Sequence, residues 1–240
     1  MGSHDLVVPA RAMVIVAHPD DAEFGCAGTI ARWCDAGCEA SYVICTDGRN
    51  GTRERGLSQS ELVRMRQQEQ RDAAAVLGVQ RVHFLPFPDG GLENTPALRR
   101  ELVRLFRIER PEVILTGDPY RPYGPFVSHR DHRMAGQAAL DAAFPEAGCH
   151  LYHEELAAEG LQPHRVREAL LSAAEQPEVW IDIAGVFERK ERALRCHVSQ
   201  FENPDEMVVM LRGMAARVGE TQGLALAEAF RRLTLDWEMP

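Results

Sequence analysis

Four short apolar runs, each followed by a stretch of helical periodicity, constrain this chain more than any other feature of its sequence. The runs cover residues 13–16, 41–45, 81–85 and 113–115, and segments of this kind read as buried strands of a parallel sheet. After the first run, Ala27, Ile30, Ala31, Cys34 and Cys38 recur at helical spacing, and Gly37 offers a stop. A second helix is expected to open at the capping box Ser58-x-x-Glu61 and to carry Leu62, Met65, Ala73, Val76 and Leu77 as far as Gly78. A third opens at Thr95-Pro96, in N-cap then N1 order, and presents Leu98, Leu102, Leu105 and Phe106 on one face until Pro111. Strands alternating with helices of this length imply right-handed βαβ units, hence an α/β fold.

The alternation holds to about residue 145. Beyond it the chain is more helical, with a strand expected at 179–183 and helices near 185–198 and 204–218. The 240 residues contain no internal repeat, low-complexity tract or linker. A single domain over 1–240 is therefore expected, with a core at about 11–145 and a mainly helical C-terminal portion at about 146–240. The net charge of −9 argues against non-specific nucleic-acid binding. No apolar run approaches the roughly 18 residues of a membrane span, and the first residues lack the basic and apolar regions of a secretion signal. None of the six cysteines forms a C-x-x-C pair, so free thiols and a cytoplasmic setting are expected.

The first apolar run ends in Ala17-His18-Pro19-Asp20-Asp21. Ligands of open α/β sheets bind beyond the carboxyl ends of the strands, so an imidazole and two carboxylates stand where chemistry is done. The fourth run leads through a Pro/Gly/aromatic loop of about a dozen residues, a length that is usually functional, into Ser128-His129-Arg130-Asp131-His132. Ser128 and Asp131 have capping-box spacing, and Met134, Ala135, Ala138, Ala139 and Ala142 form an apolar helical face. His129 and His132 are thus expected in a first helical turn, projecting from one side. The partial positive charge of a helix N-terminus disfavours imidazolium and leaves neutral imidazole, the form that ligates metal.

Both clusters follow strands of one parallel sheet and so meet at its carboxyl edge. His18, one aspartate and one of the two downstream histidines supply the three protein ligands of a catalytic zinc site, which keeps a position for water. Fe2+, Co2+ or Ni2+ suits the same donors. The other aspartate can act as general base, and the other histidine can stabilise an oxyanion or protonate a leaving amine. Spacing leaves open which aspartate and which histidine take each part.

The run Ala17-His18-Pro19-Asp20-Asp21-Ala22-Glu23-Phe24-Gly25-Cys26-Ala27-Gly28-Thr29, with His129-Arg130-Asp131-His132 downstream, resembles the PIG-L/LmbE-like family of zinc-dependent de-N-acetylases. Further agreement comes from Thr46-Asp47-Gly48 with Gly51, Arg66-x-x-Glu69, Pro88-Asp89-Gly90-Gly91 and His197-x-Ser199-Gln200. The resemblance implies a Rossmann-like fold, a parallel sheet with a mixed edge flanked by helices. It also implies hydrolysis of the N-acetyl group of an N-acetylglucosamine-type sugar or its conjugate. By the same resemblance His18, Asp21 and His132 would hold zinc and Asp20 would be the general base. His129 would polarise the oxyanion, with Asp131 orienting it, and Arg66 would contact substrate. Homo-oligomers are frequent in the family, so one is expected here.

Two departures from the family pattern stand out. Cys26 and Ala27 replace part of a glycine-rich stretch. Val127-Ser128 stand where some members carry a tyrosine before H-x-x-H, leaving Tyr120 and Tyr123 as the nearest phenols. An alternative activity is a zinc amidase acting on another amide, such as a thiol–sugar conjugate. A more remote one is Rossmann-type nucleotide binding, which Gly25-x-x-Gly28 supports poorly because G-x-G-x-x-G is missing.

Overall fold

The apolar runs form strands β1 (Arg11–Val16), β2 (Glu39–Thr46), β3 (Arg81–Phe87) and β4 (Val113–Gly117) in a computed structural model that describes residues 6–52, 54, 56–121 and 128–235. All four pair in parallel, in the order β3-β2-β1-β4. The connections carry α1 (Asp21–Gly25), α2 (Ala27–Asp35), α3 (Gln59–Leu77) and α4 (Pro96–Glu109), and β4 leads to α5 (Arg130–Asp141).

The expected helix signals are formed at two of these starts. Ser58 caps α3 by accepting the Glu61 N–H, while the Glu61 carboxylate accepts the Ser58 N–H at 3.0 Å. Thr95 caps α4 by accepting the Leu98 N–H at 3.2 Å, with Pro96 at the first helical position. At the end of α3, Gly78 adopts φ 92°, a left-handed conformation that suits glycine. The third expected cap does not form. His129 is the N-cap of α5 with no side-chain cap bond, and Asp131 is engaged elsewhere.

The C-terminal portion is less helical than expected. It contains α6 (Glu154–Ala158), α7 (Phe187–Arg195) and α8 (Pro204–Glu220), but also β5 (Glu168–Ser172), β6 (Val179–Asp182) and β7 (Ala227–Thr234). These strands extend the same sheet to the order β3-β2-β1-β4-β5-β7-β6. Strand β5 is parallel to β4, and β7 runs antiparallel to both β5 and β6, which makes the mixed edge. The sequence hid β5 and β7 because Ala, Glu, Leu and Arg dominate them, and their extended state is imposed by cross-strand pairing rather than by intrinsic preference.

Alternate residues of β1 enter opposite apolar layers. Val14 and Val16 join Tyr42, Ile44, Ile30 and Leu77, whereas Met13 and Ile15 join Val43, Leu102, Phe106 and Ala138. The sheet is therefore covered on both faces. The six cysteines are free, with Cys26, Cys38 and Cys45 buried. Among the described residues no helix is long and apolar enough to cross a membrane.

Candidate active site

Strand β1 is buried along its length and delivers His18 to the carboxyl edge of the sheet. There the chain turns sharply. Asp20 adopts φ 92° and ψ −25°, a left-handed conformation that destabilises a non-glycine residue by about 1–3 kcal/mol. Two side chains hold this turn from α3. The Asp20 N–H donates to Gln70 Oε1 at 2.9 Å, and Arg66 Nη2 donates to the Pro19 carbonyl at 2.8 Å.

The turn sends the two neighbouring carboxylates to different partners. Asp21 Oδ2 accepts the His18 N–H at 2.9 Å and lies 3.6 Å from His18 Nδ1. Its other oxygen lies 3.1 Å from His132 Nε2, so Asp21 bridges the histidine of β1 and the histidine of α5. Asp20 instead faces Arg66, with Nη2 3.4 Å from Oδ2. The ring centroids of His18, His129 and His132 are 5.0 to 5.5 Å apart.

These environments push the two aspartates apart. Burial raises the Asp21 carboxyl, but the charges and hydrogen bonds of His132 and His18 outweigh it and hold Asp21 well below the usual carboxylate range. Asp20 is pushed up to about 7 by burial and by the Asp21 charge, with Arg66 and His197 opposing. Burial lowers the His18 imidazole, yet Asp21 and Asp89 more than reverse this and carry it up to about 10. His132 is likewise raised, Asp21 overcoming burial. A field that binds protons this firmly on imidazoles is one that attracts a cation.

Among the described residues two groups of side chains have ligand atoms close enough to hold a metal, each set within 4.8 Å: His18, His129 and His132, and His18, Asp89 and Asp131. His18 belongs to both. Its Nε2 lies 3.0 Å from Asp89 Oδ1 and 3.3 Å from Asp131 Oδ2, which leaves Nδ1 on the side of Asp21. A carboxylate behind one ring nitrogen fixes the orientation of the other, the usual support of a ligating histidine.

Asp131 was expected to orient His129 and does something else. Fully buried, it accepts the N–H groups of Gly90 at 2.7 Å and Leu92 at 3.2 Å and meets His18 Nε2. Backbone amides of the loop after β3 capture the carboxylate that a capping box would have used, and the ring it orients is His18. Arg66 is 3% exposed and is neither a surface ion pair nor an open contact; it donates to the Gly48 and Pro19 carbonyls beside Asp20. Tyr120 is 73% exposed, its N–H bonded to Asp118, and Tyr123 lies outside the described residues.

Sequence reasoning missed the buried wall behind Asp20. Gln70 Nε2 donates to the Glu23 carboxylate at 3.2 and 3.3 Å, and His197 Nε2 lies 3.1 Å from Glu23 Oε2. All three residues are 0% exposed. The segment after α7 is pinned to α3 by Ser199, whose N–H and Oγ each reach Glu69 at 2.7 Å. Asp89 was also missed, although its place just after a strand end was the available signal.

Known proteins resemble this chain in sequence and in fold. Diacetylchitobiose deacetylase from Thermococcus kodakarensis is 35% identical, over 92% of this chain and 82% of that protein. Mycothiol S-conjugate amidase from Streptomyces coelicolor is 30% identical, over 78% of this chain and 75% of that protein. The solved structure of N,N'-diacetylchitobiose deacetylase from Pyrococcus horikoshii, complexed with its inhibitor MPG, superposes with a TM-score of 0.88 at 31% identity. That match covers 94% of this chain and 84% of the other. Residues 13–143, more than half of the chain, match the family described as PIG-L, GlcNAc-PI de-N-acetylase. The chain belongs to the PIG-L family.

Proposed function

We propose that this protein is a zinc-dependent hydrolase that removes the N-acetyl group from an N-acetylglucosamine-type amino sugar or its conjugate. The observation that carries this reading is the opposed surroundings of two adjacent carboxylates, Asp21 fixed between two histidines and Asp20 set against Arg66 and Gln70 with its carboxyl raised by burial. Carboxylates whose environments separate their proton affinities divide into a charge-stabilising group and a proton-transfer group.

His18, Asp21 and His132 would hold the metal, a two-imidazole, one-carboxylate set that suits catalytic zinc and also accommodates Fe2+, Co2+ or Ni2+. When bound, the cation supplies a Lewis acid that acidifies water and polarises the amide carbonyl. Asp131 and Asp89 orient the His18 ring from behind. Asp20 takes a proton from the attacking water as its oxygen bonds to the carbonyl carbon. His129, at the N-cap of α5 with its ring 5.0 Å from that of His18, would stabilise the oxyanion that forms. As the C–N bond breaks, the nitrogen acquires a proton by way of His129 or Asp20, giving acetate and a free amine.

The sugar would be recognised by the loops after β2 and β3, where Arg49, Asn50 and Asp89 gather. A thiol–sugar amide is the second reading, favoured by the likeness to the S-conjugate amidase. The free thiols support a cytoplasmic setting.

Acetate release from a panel of N-acetylated sugars and one amide conjugate tests the reading. Release is expected from an N-acetylglucosamine-type member, stopped by chelation and restored by zinc. Turnover that persists undiminished after complete metal removal would overturn it.

A further inference from the structure

A cavity of about 480 Å3 opens from the flank of the site formed by Asp21 and His132 and runs beneath α8. Phe24, Met210, Leu211, Met214, Ala215 and Val218 give it an apolar wall. Cavities of roughly 300–1,000 Å3 hold whole drug-sized ligands, so an acetyl methyl would fill little of this one.

A sugar ring does not suit these walls. Its hydroxyls need hydrogen-bond partners, and burying them without partners is unfavourable. The charged groups deep in the lining are already engaged: Lys190 donates to Glu228 and to the Phe24 carbonyl, and Glu228 also accepts from the Gly28 and Thr29 amides. Ser172 donates to the Thr116 carbonyl. The other polar liners are Asp21, His132, Thr116, Asp118, Arg121 and Ser128; the Thr116 hydroxyl is buried without a partner among the described residues, a single free group against the several hydroxyls of a sugar ring.

The site itself sets the direction. Among the described residues that line the cavity are Asp21 and His132, while Asp20 and His129 lie outside it. On the hydrolytic reading above, on which this inference rests, Asp20 and His129 handle the proton of the departing amine. The amine-bearing sugar then lies on their side, and the acyl group points the other way. The structure assigns the cavity to an acyl chain longer than acetyl. The enzyme is accordingly a de-N-acylase of amino sugars that prefers medium-chain amides.

The test measures kcat/KM of the metal-loaded protein for N-acetyl, N-butyryl, N-hexanoyl and N-octanoyl glucosamine. Each added methylene that enters an apolar wall is expected to raise kcat/KM roughly three- to fourfold until the cavity is full. Met214→Trp and Met210→Trp, at half-exposed positions of α8 that tolerate bulk, narrow the cavity and are expected to lower the hexanoyl-to-acetyl ratio at least tenfold. Acetyl turned over as well as every longer chain, or a ratio unmoved in both variants, would overturn the inference and leave deacetylation standing. Failure to release acid from any of the four amides would overturn the hydrolytic reading itself.

Discussion

Gln70 makes two contacts that nothing else replaces, and its removal distinguishes a positioned general base from a merely adjacent one. In Gln70→Leu the Asp20 N–H loses the acceptor at 2.9 Å in half-buried surroundings, and Glu23 loses a donor at 3.2 Å in fully buried ones. An unpaired buried amide costs about 1–3 kcal/mol, and a carboxylate deprived of a donor costs a similar amount. Relaxation of Asp20 out of its left-handed conformation returns about 1–3 kcal/mol. The net loss is then centred on about 2 kcal/mol, which for a chain of this size lowers Tm by roughly 4–8 °C. That relaxation moves the carboxylate, and a displacement of about 1 Å at a reacting group lowers rate on the order of a hundredfold. His18, Asp21 and His132 keep their mutual contacts, so metal content should stay at the native level. The assays are thermal melting, metal analysis and amide-hydrolysis kinetics on one preparation. A variant that melts earlier yet keeps kcat/KM within twofold of native would refute the positioning argument.

Two further predictions concern Asp20 and α5. Asp20 accepts a proton only when ionised, and its carboxyl is raised to about 7, so kcat/KM should climb with pH through a midpoint at or below that value. Arg66 opposes the rise; Arg66→Met should therefore move the midpoint to higher pH, and a midpoint that stays or falls contradicts the electrostatic account. A Cβ on Gly136 would stand 2.3 Å from the Gly117 carbonyl oxygen, a backbone atom that cannot step aside. Gly136→Ala should lift α5 from β4, lowering Tm and weakening metal affinity through His132; a variant with native affinity in a metal-competition titration would show that α5 seating does not govern the site.

The parts of the molecule written in local signals could be read from the sequence. Strands β1 to β4 follow from apolar runs, and the starts of α3 and α4 from Ser58-x-x-Glu61 and Thr95-Pro96. The gathering of His18, Asp20, Asp21, His129 and His132 follows from strand ends on one sheet edge. What escaped depends on tertiary competition. Asp131 carries the spacing of a capping box, but two amides of the β3 loop and the His18 ring offer it more bonds than the helix start does. Gln70 and Glu23 look like solvated helix positions, since nothing local in the sequence says that α7 and the segment after it will bury them. Strand β7 has the composition of a helix and is extended because it pairs with β5 on one side and β6 on the other.

The division of labour between the adjacent aspartates is the centre of this account, and zinc content measured beside turnover in Asp20→Ala and Asp21→Ala tests it most directly. Asp21 bridges His18 and His132, so Asp21→Ala should lose the metal and, with it, activity. Asp20 faces Arg66 and Gln70 instead, so Asp20→Ala should retain stoichiometric metal while its rate falls by about 10²–10⁴-fold, the contribution of a positioned general base. Equal metal loss in both variants, or native turnover in Asp20→Ala, would contradict it.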